Sequence, residues 1–179
     1  MSSFEVRWAT PADAEVIARH RAEMFSDMGQ LPQPLYTDLV QRAVSYLREA
    51  MPRAEYIGWL ASPDDRPDVV IAGAGVQLRR ILPRPMTRVG ENRVAHGNEA
   101  IVLNVFTEKP WRRQGLAALL MRHVLEWAAS ADIDTLVLHA SDDGRVLYEQ
   151  LGFVQTNEMR YARSLRQLRL RNPKELQPP

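Results

Sequence analysis

Arg112-Arg113-Gln114-Gly115-Leu116-Ala117-Ala118 is the segment whose residue types and spacing point most directly to chemistry. It follows a near-continuous apolar stretch, Ala100-Ile101-Val102-Leu103-Asn104-Val105-Phe106. It leads into apolar residues at Leu116, Leu119, Leu120, Val124 and Trp127, which share one helical face. A strand, a tight glycine turn and a helix start form an anion cradle, because uncapped backbone N–H groups and the positive end of the helix dipole point outward there. Gly115 keeps a Cβ out of the path of the anion, and nearby arginines add charge. The pattern fits neither the Gly-x-x-x-x-Gly-Lys-Ser/Thr of P-loop proteins nor the Gly-x-Gly-x-x-Gly of dinucleotide folds. A lone glycine at a helix start is ordinarily just a turn, so what surrounds it decides the matter.

The elements that must position this turn are legible on both sides. Phe4–Trp8 reads as a strand. Thr10-Pro11-Ala12-Asp13 starts a helix, with Thr as N-cap, Pro at the first helical position and an acid in the first turn. That helix carries Ala14, Val16, Ile17, Ala18 and His20, and residues 28–34 break it. Residues 37–51 predict a second helix with Leu39, Val40, Ala43 and Leu47 on its apolar side. Residues 56–61 and 69–78 predict a hairpin, and Gly73 and Gly75 predict a bend or close backbone approach within it. Residues 82–98, rich in Pro, Arg and Gly, read as a long loop. Downstream come a buried-type strand at 134–140, a short helix at 144–151 capped by Gly152, a strand beginning at Phe153-Val154 and a closing strand at 158–162. The order β-α-α-β-β-β-α-β-α-β-β predicts a mixed α/β fold (α+β by some schemes), with an antiparallel N-terminal half and a parallel βαβ crossover. Residues 1–163 are expected as one domain and 164–179 as a basic tail. Arg160, Arg163, Arg166 and Arg169 alternate there with Leu165, Leu168 and Leu170. Such a segment is a docking helix for a second subunit or a solvated terminal helix.

Composition bounds the partners. Among 179 residues, 23 Lys and Arg balance 22 Asp and Glu, so no global field calls for nucleic acid or an acidic membrane. Lysine occurs only at Lys109 and Lys174, a bias that GC-rich codon usage explains. The absence of cysteine excludes disulfides, Cys-based zinc sites and a thiol nucleophile. No apolar run reaches membrane-spanning length and no signal-peptide core is seen, so the expectation is a cytoplasmic protein.

A second segment, Leu136-Val137-Leu138-His139-Ala140-Ser141-Asp142-Asp143-Gly144-Arg145-Val146-Leu147-Tyr148-Glu149-Gln150-Leu151-Gly152-Phe153, carries a strand, a polar turn, a short helix with a Tyr, and Leu-Gly-Phe. Together with Arg112-x-x-Gly115-x-Ala117 it resembles, in order and separation, the acyl-CoA motifs of the GCN5-related N-acetyltransferase superfamily. Asn104-Val105-Phe106-Thr107 resembles the Asn-Val-Tyr-Thr of many bacterial members. Ala117 stands where Gly is more frequent, and Ser141 where many members have Asn. The resemblance covers almost the whole chain. It implies a central twisted sheet of six to seven strands, with splayed parallel central strands, flanked by about four helices. It implies acetyl transfer from acetyl-CoA, a cosubstrate needing no metal, to an amine by direct attack without an acyl-enzyme. By matching positions, the backbone of Val105, Phe106 and Thr107 would pair with pantetheine like an added strand. Arg112, Arg113, Gln114, Gly115, Leu116, Ala117 and Ala118 would lie under the pyrophosphate, and Ser141 and Tyr148 would complete the cofactor-binding set.

Within that resemblance Tyr148 is the catalytic candidate. The departing CoA thiolate needs a proton, and a phenol with an ordinary pKa of about 10 can give one at neutral pH; the alternative is a packing role. Glu99, just before the central strand, is the base candidate, with His96, Glu108 and a water relay as alternatives. Asn104 is open between an acceptor-side role and structural hydrogen bonding. His139 reads as a core histidine and Trp111 as a packing anchor. Met24, Phe25, Met28, Leu35 and Tyr36 would supply apolar surface for the acceptor, and Glu23, Asp27 and Asp38 could attract a cationic amine. The expected acceptor is a small-molecule primary amine. The alternatives are a protein N-terminus or lysine, or a non-catalytic acyl-CoA-binding module. A homodimer is the possible assembly, with no nucleic-acid or membrane partner.

Overall fold

The structure, a computed structural model, describes residues 3–88 and 91–159. In chain order its elements are β1 (Phe4–Trp8), α1 (Ala14–Asp27), α2 (Tyr36–Ala50), β2 (Tyr56–Pro63), β3 (Ala72–Arg80), β4 (Pro85–Arg88), β5 (Glu91–Val94), β6 (Asn98–Thr107), α3 (Leu116–Ser130), β7 (Thr135–Leu138) and α4 (Asp142–Gln150). One compact unit ends at Arg145, and the chain from Val146 belongs to a second.

The first unit is built on a five-stranded sheet in the order β1-β2-β3-β6-β7. Its pairs are antiparallel except β6–β7, the parallel pair joined through α3. The start of α1 is fixed by Asp13, whose carboxylate accepts the Thr10 N–H (2.8 Å) and hydroxyl (3.0 Å) and both ends of the Arg7 fork (2.7 and 2.9 Å). Ala14, Ile17 and Ala18 of α1 then pack with Leu47 and Ala50 of α2 and with Tyr56 and Leu60 of β2. Trp59 points the other way by strand alternation and meets Trp127 of α3 at 5.7 Å. Thus α1 and α2 cover one face of the sheet, and α3 covers the other with Leu116, Leu120, Met121 and Val124 buried. Full burial of each Leu in these cores contributes about 1.5–3 kcal/mol.

The close approach expected around Gly73 and Gly75 is present. A Cβ on Gly75 would lie 2.0 Å from the Tyr56 hydroxyl, so the ring lies directly over that backbone. The β3–β6 register shifts here: Gly75 faces Leu103, but Gly73 faces Phe106. One extra residue is therefore accommodated on β6, where Asn104 takes φ 56°.

Four expectations change. Residues 82–98 are not one long loop, because β4 and β5 pair as a separate two-stranded sheet. Its base is held by the Ala95 N–H to Arg84 O bond (2.8 Å) and by Asp134, which accepts the Gly97 (2.8 Å) and Asn98 (3.0 Å) N–H groups. Those partners are distant in sequence, which is why composition suggested only a loop. The main sheet has five strands among the described residues, not six or seven. Residues 153–159 are irregular, so no strand begins at Phe153-Val154, and Val154 is 79% exposed. Most of the closing strand expected at 158–162, and the whole tail 164–179, lie outside the described residues. His139 is exposed just past the end of β7, and the buried histidine is His20 at 2%. No helix among the described residues is long and apolar enough to cross a membrane.

Candidate active site

β6 and β7 pair only as far as Val102 opposite Leu138, whereas β6 continues to Thr107. The bulge at Asn104 sits at this point, and a bulge bends its strand and increases its twist. Beyond it, one edge of β6 has no strand partner among the described residues. The Glu108 N–H donates to Ile71 O at 2.9 Å, on the side of β3. Antiparallel alternation then turns the backbone of Phe106 toward β3 and that of Val105 and Thr107 toward the open edge. The Phe106 ring is buried 5.0 Å from the His20 ring. The Thr107 carbonyl already accepts Arg112 Nε at 3.0 Å.

The turn after β6 runs through a short 3-10 segment, Lys109–Trp111, and two left-handed residues, Arg113 (φ 64°) and Gly115 (φ 84°). Gly115 is the N-cap of α3, and no side chain caps it. The first bond from the turn into α3 is Leu119 N–H to Gly115 O, at 2.9 Å. None of the N–H groups of residues 113–118 meets an acceptor among the described residues. Such successive N–H groups form a nest for an anion. A Cβ on Gly115 would have no heavy atom within 4 Å, so the glycine is set by its φ and by the open space in front of it.

Charge is distributed differently from expectation. Arg112 is occupied within the protein: besides Thr107 O it bonds the Asp27 carboxylate and lies 5.6 Å over the Phe106 ring. It ties the turn to α1. Gln114 Nε2 reaches Pro110 O at 3.5 Å. Trp111 is the packing anchor expected, edge-on to Phe4 at 6.0 Å with Arg66 5.5 Å over its ring.

A buried polar cluster sits at the bulge. Asn104, 7% exposed, accepts Arg21 Nη1 through Oδ1 at 2.6 Å and donates from Nδ2 to the Tyr56 hydroxyl at 3.2 Å. Burial pushes the Tyr56 phenol up to about 12. Arg21 also lies 4.9 Å over the Phe25 ring, and burial lowers its pKa. Sequence reasoning missed Arg21 and Tyr56. The available signal was Arg21 one turn after Ile17, a charge on the apolar face of the helix.

His20 Nε2 lies 3.3 Å from Glu108 Oε1, and burial lowers the imidazole pKa. Glu108 also pairs with Arg19 at 2.8 Å. Arg19, Glu23, Asp27, Tyr36 and Glu108 line a cavity of about 510 Å³. The acids expected to draw a cation are all paired: Glu23 with Arg19 (3.2 Å), Asp27 with Lys109 (3.1 Å) and Arg112, and Asp38 with Arg42 (2.8 Å).

Glu99 is buried, with 7% exposure, and its Oε1 accepts Arg79 Nε across the β3–β6 pair. It precedes Asn104 by about 16 Å of strand, at roughly 3.3 Å per residue. The structure therefore does not bring it to the bulge. His96 is exposed between β5 and β6. Ser141 Oγ accepts the Gly144 N–H at 3.3 Å, at the start of α4.

In the second unit Tyr148 is half-buried and stands edge-on to Phe153 at 6.0 Å. Its carbonyl accepts the Leu151 (3.1 Å) and Phe153 (2.9 Å) N–H groups as the helix ends. Burial raises the pKa of its phenol.

Comparison with known proteins places this geometry. Residues 88–171 match the model of the acetyltransferase (GNAT) domain. A GCN5-related N-acetyltransferase from Ralstonia eutropha JMP134 is similar at TM-score 0.76 and 24% identity, over 89% of this chain and 97% of that one. A predicted acetyltransferase from Clostridium acetobutylicum, solved with acetyl-CoA, is similar at TM-score 0.72 and 22% identity, over 90% and 96%. An aminoglycoside acetyltransferase from an uncultured soil metagenomic sample is similar at TM-score 0.62 and 18% identity, over 91% and 99%. No curated protein sequence matches the chain.

Proposed function

We propose that the chain, whose residues 88–171 match the acetyltransferase (GNAT) domain, is a GCN5-related N-acetyltransferase that transfers the acetyl group of acetyl-CoA to the primary amine of a small molecule by direct attack. The observation that carries this is the row of N–H groups at residues 113–118 that meet no acceptor among the described residues, beside an edge of β6 that has no strand partner among them. A polyanion joined to an extended chain of amides fits both features, and CoA joins a pyrophosphate to pantetheine in that way. The Clostridium relative solved with acetyl-CoA supports the same choice of cosubstrate.

The Gly115, Leu116, Ala117 and Ala118 N–H groups hold the pyrophosphate, with Arg113 adding charge. The Val105 backbone pairs with pantetheine as a strand would. Thr107, Arg112 and Gln114 fix the shape of the turn, and the Phe106 ring backs it. The bound cosubstrate supplies a thioester whose carbonyl a neutral amine can attack. Tyr148, protonated at neutral pH, donates toward the sulfur as it leaves. Glu99 receives the ammonium proton through water, because its own contacts keep it at the start of β6.

Calorimetry with CoA tests this directly. Stoichiometric binding to the wild type is expected, and none to Gly115→Glu, which puts bulk and negative charge into the nest. Gly115→Ala carries the same positive-φ strain without the charge and controls for it. No binding to the wild type at millimolar CoA removes the proposal. Thiol released from acetyl-CoA with a panel of amines then identifies the acceptor.

A further inference from the structure

Among the described residues, Arg21 is a cation without a counter-ion. Its guanidinium is partly withdrawn from water beneath Phe25, and its one hydrogen bond is to the neutral Asn104 amide oxygen. No carboxylate approaches it among the described residues. The acids of its own helix and of the neighbouring turn are engaged elsewhere: Glu23 by Arg19, Asp27 by Lys109 and Arg112, Glu108 by Arg19 and His20. A guanidinium removed from water and left unneutralised is costly unless an anion completes it. Its Nε and second terminal nitrogen make no hydrogen bond among the described residues, which leaves donors in the fork geometry that matches an oxyanion.

Its location gives this charge a use. The residue it bonds, Asn104, is the bulge at which β6 leaves β7. That is where the open edge begins. We propose that Arg21 anchors the acid group of the acceptor, so that the substrate is a primary amine that also carries an oxyanion, a carboxylate or a phosphate. This rests on the acetyl-transfer proposal above and names its substrate class. It reverses the expectation that acidic side chains would draw in a purely cationic amine.

The test compares matched primary amines bearing a carboxylate, a phosphate, or the neutral amide or methyl ester. Wild-type kcat/KM should favour one acidic class over its neutral counterpart by about 10–100-fold, the range of one charged hydrogen-bonded pair. The carboxylate and phosphate arms tell the two sources apart. Arg21→Gln should remove the preference by raising KM for the acidic amine, leaving the neutral amine and the CoA Kd nearly unchanged. Arg21→Lys, which keeps charge without the fork, should recover part of it. Equal wild-type rates on acidic and neutral amines overturn the inference even if no variant folds. An equal loss on both classes in Arg21→Gln overturns it too, and makes Arg21 a support for Asn104. If CoA binds but no acid-bearing amine is turned over, the inference fails alone. If CoA does not bind, the acetyl-transfer proposal itself has failed.

Discussion

Burial raises the Tyr148 phenol above its ordinary pKa of 10.0, so it keeps its proton across the neutral range. Replacing Tyr148 with Phe removes that proton donor and leaves the ring beside Phe153. Turnover should fall by roughly 10²–10⁴-fold, the worth of a general acid, while CoA affinity measured by calorimetry stays level. Unchanged turnover would make the residue a packing group. Gly75 is a sharper structural test. An alanine Cβ would lie 2.0 Å from the Tyr56 hydroxyl, and that ring is wholly buried with Asn104 bonded to it. Gly75→Ala should destabilise by about 3 kcal/mol, the upper end for overpacking. For a domain of this size that lowers Tm by roughly 6–12 °C. A thermal melt within 2 °C of wild type (about 0.5–1 kcal/mol) would show that the ring moves aside.

At the scale of elements, the start of α1 hangs on one carboxylate. The Asp13 pKa is drawn down from 3.8 to about 2, chiefly by the hydrogen-bonded Arg7 guanidinium and then by Thr10. A folded-state pKa below the unfolded value means that the carboxylate stabilises the fold above the unfolded pKa. That contribution is lost as pH falls from about 4 through 2. Urea midpoints across this range should therefore drop more steeply for wild type than for Asp13→Asn. The two curves should converge below about pH 2, once Asp13 is protonated in the folded state too. Parallel curves would show that the bridge is too solvated to matter, which its partly exposed arginine makes the relevant alternative. The β4–β5 hairpin shows the same dependence on a distant acid, since Asp134 holds the two backbone N–H groups at its base. Arg93 lowers the pKa of that carboxylate.

For the whole molecule, a ligand bound only by the folded chain must raise its melting point. CoA at a hundredfold excess over its Kd should add about 2.7 kcal/mol, or roughly 5–10 °C for a domain of this size. Gly115→Glu should melt without that shift, and Gly115→Ala, which adds only a Cβ and no charge, should lose less of it. A shift that survives Gly115→Glu would place the anion somewhere other than the nest.

The sequence alone carried β1, the α1 start at Thr10-Pro11-Ala12-Asp13, both N-terminal helices, the β2–β3 hairpin and the strand–turn–helix around Gly115. These are local signals: periodicity, caps and turn residues lie within a few positions of what they specify. It also pointed to Gly73 and Gly75 as a place of close approach, without saying what approaches. The tertiary structure decided the rest. Pairing partners far apart in sequence turned residues 82–98 into a hairpin and set the register shift that puts Asn104 at φ 56°. They also ended the β6–β7 pairing at Val102 and so opened the edge of β6. Charge depended most on the fold. Asp27 and Arg112 are ordinary ions in a sequence, and only the packing of α1 against the turn after β6 pairs them. The fold also leaves Arg21 beside Asn104 with no counter-charge among the described residues, because which ions meet is fixed by three-dimensional distance and not by spacing along the chain.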